Sequence, residues 1–347
     1  MKILVYTRNF LPDMGGLERN TFTLASSLAK MGHETKVLTE TLDEDGGAAY
    51  PFATVRSSSP GAFFGCVRWA DLVFVNGGLS MKVCTISRFL GRRYVPIYQM
   101  STLFEREGAG WFSKRARAFM AAGAGMSLTV SHYAKTVLEG LLPGHEVVAL
   151  PNPIDGELEQ IVAQKKGLAA DKSYDLLFAG RLIDGKGIFH LLEAVSKLRP
   201  SHELTVAFAG DGADRDRLLA RAEALGLGIV YLGRLDRERL IDAYQRSRVL
   251  VVPSSTHTEG NPLVIAEALS LGVPVIASDQ PAMVEAVGEA GLVFKRGSVD
   301  DLSEKIGLMF GHGQLEERAG LTFLRKAEFS YERYNERLKG VLGKMGA

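Results

Sequence analysis

The chain opens on a short apolar run, Ile3 to Tyr6, which gives way to polar residues and then to a glycine pair, Gly15 and Gly16. Beyond the pair, Phe22, Leu24, Ala25, Leu28 and Ala29 recur at helical spacing until Gly32 stops the pattern. HETKVLTE (33–40) then predicts a strand centred on Val37 and Leu38. Strand, helix and strand within about 40 residues make a βαβ unit, and such units build parallel sheets. Further strands are predicted at DLVFV (71–75), YVPIY (94–98) and SLTVS (127–131). At LPNPIDGELEQ (150–160) the pattern breaks, and polar AQKKGLAADKS follows, which is linker chemistry. It restarts with YDLLFAGR (174–181), the helix HLLEAVSKL, and strands at LTVAFAG (204–210), GIVYLG (228–233), RVLVVPSS (248–255), PVIAS (274–278) and GLVF (291–294). A charged amphipathic helix is predicted from Leu315 onward. The fold class is α/β: two doubly wound, Rossmann-like domains over 1–160 and 161–324, facing each other across an interdomain cleft.

Length and composition agree with this. A chain of 347 residues suits two domains, and 46% hydrophobic with 23% charged residues is globular composition. The formal net charge of +1, from 41 basic and 40 acidic side chains, speaks against a dedicated nucleic-acid binder. Cys66 and Cys84 are the only cysteines, which argues against a disulfide scaffold or a structural zinc site and suits a reducing compartment. MKILVYTRNF has too few apolar residues before Thr7 and Arg8 for a signal-peptide core, and no uninterrupted apolar stretch is long enough to span a bilayer. The expected location is the cytoplasm.

Open parallel sheets bind ligands at the carboxyl ends of their strands, so candidate chemistry is sought there. Gly15-Gly16 suits either a plain turn or a close backbone approach to a ligand at a helix N-terminus. The dinucleotide fingerprint GxGxxG is absent, which counts against a nicotinamide oxidoreductase. GRLIDGKG (180–187) puts Arg181 and Lys186 on a glycine-rich loop after a strand. They are either two solvated cations or a planar fork and a point charge for a diphosphate. EGNPLVIAEALSLGVPVIAS (259–278) follows an apolar strand, with Asn261 expected as the N-cap and Pro262 as the first residue of a helix whose free N–H groups suit a phosphate. Glu259 and Glu267 bracket that helix start, and carboxylates of this kind accept hydrogen bonds from sugar or ribose hydroxyls. Gly210 in AGDG and Arg234 in LGR are turn residues with a secondary reading as contacts to a base.

Taken together, Gly15-Gly16, PNPID (151–155), GRLIDGKG, AGDG and the E-x7-E of Glu259 and Glu267 with GVPVIAS resemble the retaining GT-B glycosyltransferases of family four, the glycosyl transferases group 1 type, along essentially the whole chain. The resemblance implies a nucleotide-sugar donor, UDP- favoured over GDP-, held mainly by the second domain. Arg181 and Lys186 would meet the diphosphate, Glu267 the ribose and Glu259 the donor sugar. Gly16 and the turn Asn261–Pro262–Leu263 would add backbone contacts. It also implies no metal and no cofactor, a tail helix (325–347) that packs back on the first domain, and a front-face reaction assisted by the leaving phosphate.

The sequence departs from the family at two positions where histidines are common. Gln99 follows YVPIY and Asn76 follows DLVFV. Either amide can hydrogen-bond a sugar or acceptor hydroxyl, and neither is an acid or base near neutral pH. A non-catalytic nucleotide-sugar-binding protein is therefore the alternative. Finally, residues 82–117 carry eight Lys/Arg (Lys82, Arg88, Arg92, Arg93, Arg106, Lys114, Arg115, Arg117) against Glu105 and Glu107, with Trp111 and Phe112 among them and Phe119 just beyond. This stretch is either an ordinary amphipathic helix or a face for anionic lipid. On the membrane reading the protein is peripheral on the inner face of the cell membrane and the acceptor is a lipid-linked or cell-envelope glycan.

Overall fold

A computed structural model describes residues 1–12, 15–42, 49–99, 118–154, 156, 158–160, 171–199, 203–311 and 313–346. The chain divides into two compact units, Met1–Asn152 with Tyr334–Ala347, and Pro153–Arg333.

Unit 1 runs β1 (Lys2–Thr7), α1 (Gly16–Lys30), β2 (Glu34–Thr39), β3 (Ala53–Arg56), α2 (Pro60–Trp69), β4 (Leu72–Asn76), α3 (Met81–Phe89), β5 (Arg93–Tyr98), β6 (Ser127–Thr129), α4 (His132–Leu141) and β7 (Val147–Ala149). Its seven-stranded sheet has the order β3-β2-β1-β4-β5-β6-β7 and every pairing is parallel. Parallel strands are covered on both faces, which is why β4 reads LVFVN and is buried throughout. β3 and β7 were not predicted. β3 is a half-exposed edge strand and β7 only three residues long, so neither writes a strong apolar pattern.

Unit 2 runs β8 (Tyr174–Ala179), α5 (Ile188–Leu198), β9 (Val206–Ala209), α6 (Arg215–Ala224), β10 (Ile229–Gly233), α7 (Arg237–Gln245), β11 (Ser247–Val252), α8 (Leu263–Ser270), β12 (Val275–Ser278), α9 (Pro281–Val287), β13 (Gly291–Phe294), α10 (Val299–Met309) and α11 (Gln314–Lys326). Its sheet has the order β10-β9-β8-β11-β12-β13, again all parallel. Both sheets therefore reverse direction of growth beside their first strand, between β1 and β4 and between β8 and β11. Those reversals open the crevices where doubly wound sheets take ligands.

The units change over at Asn152/Pro153, earlier than the expected 160/161. Ile154 and Leu158 are buried in the core of unit 2 with Leu177, Leu250 and Phe329, and the Ile154 N–H donates to the Phe329 carbonyl at 2.9 Å. PNPI is thus already part of the second core. The tail splits likewise: α11 stays with unit 2, and the last helix, α12 (Tyr331–Lys344), places Tyr334, Leu338, Val341, Leu342 and Met345 in the core of unit 1 with Ile3, Val5 and Leu128. Positions 334, 338, 341, 342 and 345 form one helical stripe, so the burial follows from the period. Leu338 is fully buried, and Leu338→Ala is expected to destabilise unit 1 by about 2–5 kcal/mol. Chemical denaturation followed by a probe in unit 1 reads this, and an unchanged midpoint would remove α12 from that core.

Candidate functional site

At the reversal point of unit 2, the loops after β8 and β11 are locked together through backbone. Gly187 has φ +73°, and a Cβ there would lie 1.9 Å from the Pro253 carbonyl oxygen, so only glycine fits. One residue pair earlier, the Gly185 carbonyl accepts from the N–H groups of both Ser255 (2.9 Å) and His257 (3.0 Å). This juxtaposition brings Lys186 onto Glu259: its Nζ is hydrogen-bonded to Glu259 Oε1, which also accepts from Ser254 Oγ at 3.1 Å. Behind them, buried Gln280 accepts from the Glu259 N–H at 3.1 Å and donates to the carbonyls of Ser254 and His257, both at 3.0 Å. Arg181, on the same β8 loop, is exposed.

His257 completes this charged group, and sequence reasoning missed it. The imidazole is half-buried, and burial first, then the positive charges of Lys186 and Arg181, hold it below its usual range, with Glu259 opposing them. Its signal was its position, two residues before Glu259 on a post-strand loop.

The second acidic residue has a different setting. Pro262, not Asn261, is the N-cap of α8, with φ −72° and ψ 104°, and the helix starts at Leu263. Pro262 is held extended and only its carbonyl enters the helix, accepting from the Ile265 N–H at 3.0 Å. Glu267 therefore falls in the second turn, and it is no solvated face residue: it is 3% exposed. Arg237, the first residue of α7, donates Nη1 to Glu267 Oε1 at 2.6 Å, and the Tyr244 hydroxyl donates to Oε2 at 3.0 Å. Gly210 lies at the end of β9 with φ +134°, where a Cβ would meet the Gly180 carbonyl oxygen at 1.9 Å, so its glycine is a packing requirement between neighbouring strand ends. Arg234 is exposed just past β10.

Unit 1 has its own group at the corresponding reversal. Gly15 caps α1 in extended conformation, and a Cβ on it would strike Glu18 Oε2 at 2.4 Å, whereas a Cβ on Gly16 would meet nothing within 4 Å. Asn76, at the end of β4 and 3% exposed, donates Nδ2 to Asn20 Oδ1 and Thr21 Oγ1, both at 2.8 Å. Gln99 Nε2 donates to Asn76 Oδ1 at 2.7 Å and to Asn20 Oδ1 at 3.0 Å, and Asn20 Nδ2 is bonded to Asn152 Oδ1. Asn76 is thus committed to neighbouring side chains at both ends of its amide. Gln99 is half-buried, and its Oε1 accepts no hydrogen bond from the described residues. Of the basic stretch, Lys82, Arg88, Arg92, Arg93 and Phe119 are described, while Arg106, Trp111, Phe112, Lys114, Arg115 and Arg117 lie outside the described residues.

Comparison with known proteins bears on the family and the fold. Residues 160–320, most of unit 2 and all of the charged site, match the family model of the glycosyl transferases group 1. TuaC of Bacillus subtilis, provisionally named a teichuronic acid biosynthesis glycosyltransferase, is 31% identical over 206 residues, 56% of this chain; the chain spans half (50%) of TuaC. The gpi3 subunit of the Schizosaccharomyces pombe phosphatidylinositol N-acetylglucosaminyltransferase is 25% identical over 324 residues, 86% of this chain and 70% of that protein. Among solved structures, Anabaena HepE in complex with UDP-glucose superposes with a TM-score of 0.76 over 99% of both chains at 18% identity. The likeness at that identity is one of fold, and the fold is GT-B: two Rossmann-like units with parallel sheets.

The buried pair makes a stability prediction. Arg237→Ala leaves the Glu267 carboxylate buried without its cation and is expected to cost about 3–5 kcal/mol. Denaturant titration of unit 2 checks this, and a loss under about 1 kcal/mol, the range of an exposed ion pair, would contradict it.

Proposed function

We propose that the protein is a retaining glycosyltransferase that moves a sugar from a UDP-sugar to the hydroxyl of a lipid-linked or cell-envelope acceptor. The observation that carries this is the convergence of Arg181, Lys186, Glu259 and His257 where the β8 and β11 loops lock together, inside the stretch that matches the family model. In the free chain Lys186 is satisfied by Glu259. An arriving diphosphate gives Lys186 a second anion and releases Glu259 to accept hydrogen bonds from sugar hydroxyls. The N–H groups at the start of α8 add a partial positive charge.

As the glycosidic bond to the diphosphate breaks, negative charge grows on the leaving phosphate and the sugar becomes oxocarbenium-like. Arg181 and Lys186 stabilise that growing charge, which is the main catalytic effect required. No side chain of the group is placed as a nucleophile on the sugar, so the acceptor attacks from the face the diphosphate leaves, and the leaving phosphate takes the hydroxyl proton. Configuration is retained. Glu267, oriented by Arg237 and Tyr244, is assigned to the ribose hydroxyls. The reading requires no divalent cation, because the two cations and the helix N-terminus supply the charge.

A thermal-shift panel of UDP, GDP, ADP and dTDP tests the donor base, and UDP-sugar hydrolysis without acceptor separates a working transferase from a non-catalytic binder. Lys186→Ala is expected to weaken UDP binding by about 2–5 kcal/mol, since one partner of a largely desolvated charge pair is lost. Calorimetry in EDTA reads both claims: unchanged affinity in the variant removes Lys186 from the site, and loss of wild-type binding in EDTA refutes metal independence.

The acceptor and membrane part of the proposal rests on the basic excess over 82–117 and on exposed aromatics beside it. Phe89 at the end of α3 is 81% exposed, and the Arg88 guanidinium sits 4.5 Å from the ring of exposed Phe119. The gpi3 relative, named for phosphatidylinositol, supports a lipid acceptor. Among the described residues no helix is long and apolar enough to cross a membrane, so attachment would be at the surface. Replacing Lys114, Arg115 and Arg117 with Ser removes roughly 3 kcal/mol of attraction to anionic lipid at low salt. Co-sedimentation with phosphatidylglycerol vesicles is expected to fall in that variant and, for wild type, at high salt. Equal pelleting of both forms, or of neither, would reassign the stretch to an ordinary helix.

A further inference from the structure

The charge group at the β8–β11 crevice holds two cations, Arg181 and Lys186, and one carboxylate, Glu259. A nucleoside diphosphate sugar carries a negative charge on each phosphate. Arg181 and Lys186 oppose it, with the Glu259 carboxylate lying against Lys186 in the free chain. Among the described residues of these two loops, a further group that can acquire positive charge is His257. Its backbone is fixed to the same turn, with the His257 N–H on the Gly185 carbonyl at 3.0 Å. Its side chain leaves directly beside that turn: a Cβ on Gly185 would lie 3.6 Å from the His257 Cβ and 2.9 Å from Thr256 Oγ1. The imidazole is therefore rooted next to Lys186, on the loop that carries Glu259.

We propose that His257 is a third ligand of the donor diphosphate, taking up a proton from solvent as the nucleotide sugar binds and releasing it when the nucleotide leaves. The inference rests on the donor reading above. The groups that face the imidazole are Arg181 and Lys186 from the β8 loop and Glu259 from its own loop. The neighbouring contacts are uncharged or directed elsewhere: the neutral amide of Gln280 is on the His257 carbonyl, and the Arg296 guanidinium is on the Ser255 carbonyl. In the free protein, burial and the two cations keep the imidazole neutral to below its ordinary value of 6.5. A bound diphosphate reverses the sign of the local field, because two anionic phosphates together with Glu259 outnumber the two cations that repelled the proton, and the protonated form then also donates a charge-assisted hydrogen bond.

A group whose proton affinity rises on binding makes binding tighter as pH falls, from the pH where the bound form titrates down to the pH where the free form does. Above that window His257 is neutral in both forms and affinity is flat. Each unit of pKa rise on binding gives about a ten-fold gain in affinity across the window.

UDP-glucose is the probe, because its diphosphate, unlike the terminal phosphate of UDP, has no group titrating near pH 6. Its affinity for wild-type protein is expected to be roughly ten-fold higher at about pH 6 than at about pH 8. His257→Gln keeps a hydrogen-bonding side chain of similar reach but cannot take up a proton, and is expected to flatten that dependence. Calorimetry of wild type in two buffers of different ionisation enthalpy gives the proton count without a variant, and net uptake near pH 6 is expected. No proton uptake, or the same pH dependence in wild type and His257→Gln, overturns the assignment while the donor reading stands. Failure of UDP-glucose to bind wild type at either pH overturns the UDP-donor reading and this assignment with it.

Discussion

Unit 2 depends on one acceptor atom, the carbonyl oxygen of Gly185, which takes two N–H donors from the loop after β11. The contact is possible only because Gly187, in left-handed conformation, lets the β8 loop come within touching distance of the Pro253 carbonyl. That backbone weld holds side by side the loops that carry Lys186 and Glu259. Lys186 is carried by one strand's loop and Glu259 by the other's, and buried Gln280 holds the second loop from behind. Side chains on two loops of a flexible kind would pay ordering entropy on each encounter with a ligand; here the two loops behave as a single prepaid scaffold.

The two reversal points of the molecule are built from opposite materials. In unit 2 the crevice is ionic, with cations, a carboxylate and an imidazole. In unit 1 the same topological position is filled by neutral amides and a hydroxyl, Asn20, Asn76, Gln99, Asn152 and Thr21, bonded to one another in a nearly closed set. A buried amide that spends both ends on neighbours adds rigidity without a charge to desolvate. The absence of imidazoles at Asn76 and Gln99 thus has a local physical counterpart: the amides are wired together, and the Gln99 oxygen accepts no hydrogen bond from the described residues.

Much of this was legible in the sequence, and what was not has identifiable causes. Central strands such as LVFVN and SRVLVV are covered on both faces and announce themselves as apolar runs. The half-exposed edge strand β3 does not. Arg181, Lys186 and Glu259 were readable because glycines and a following helix mark post-strand loops. The environment of Glu267 was not, because its partner Arg237 is 30 residues away and a glutamate inside a helix looks solvent-facing until the neighbouring helix is in place. The Asn20–Asn152 contact, across 132 residues, is beyond any local pattern. The helix start was misplaced by a single residue because Pro262 is compatible with both the cap and the first turn, and only its ψ decides.

The chain order of the two cores has a consequence for biosynthesis. Unit 1 is discontinuous: its strands are made before unit 2, but the stripe of Tyr334, Leu338, Val341 and Leu342 that packs beside Ile3 and Val5 is made after it. A nascent chain therefore carries an incomplete first core, with an uncovered apolar seam along its sheet, for as long as it takes to synthesise all of unit 2. Unit 2 is continuous from Pro153 to Arg333 and can close as soon as it emerges. The order of translation is thereby inverted in the order of completion, and during that interval the first domain is the one exposed to aggregation and to chaperones.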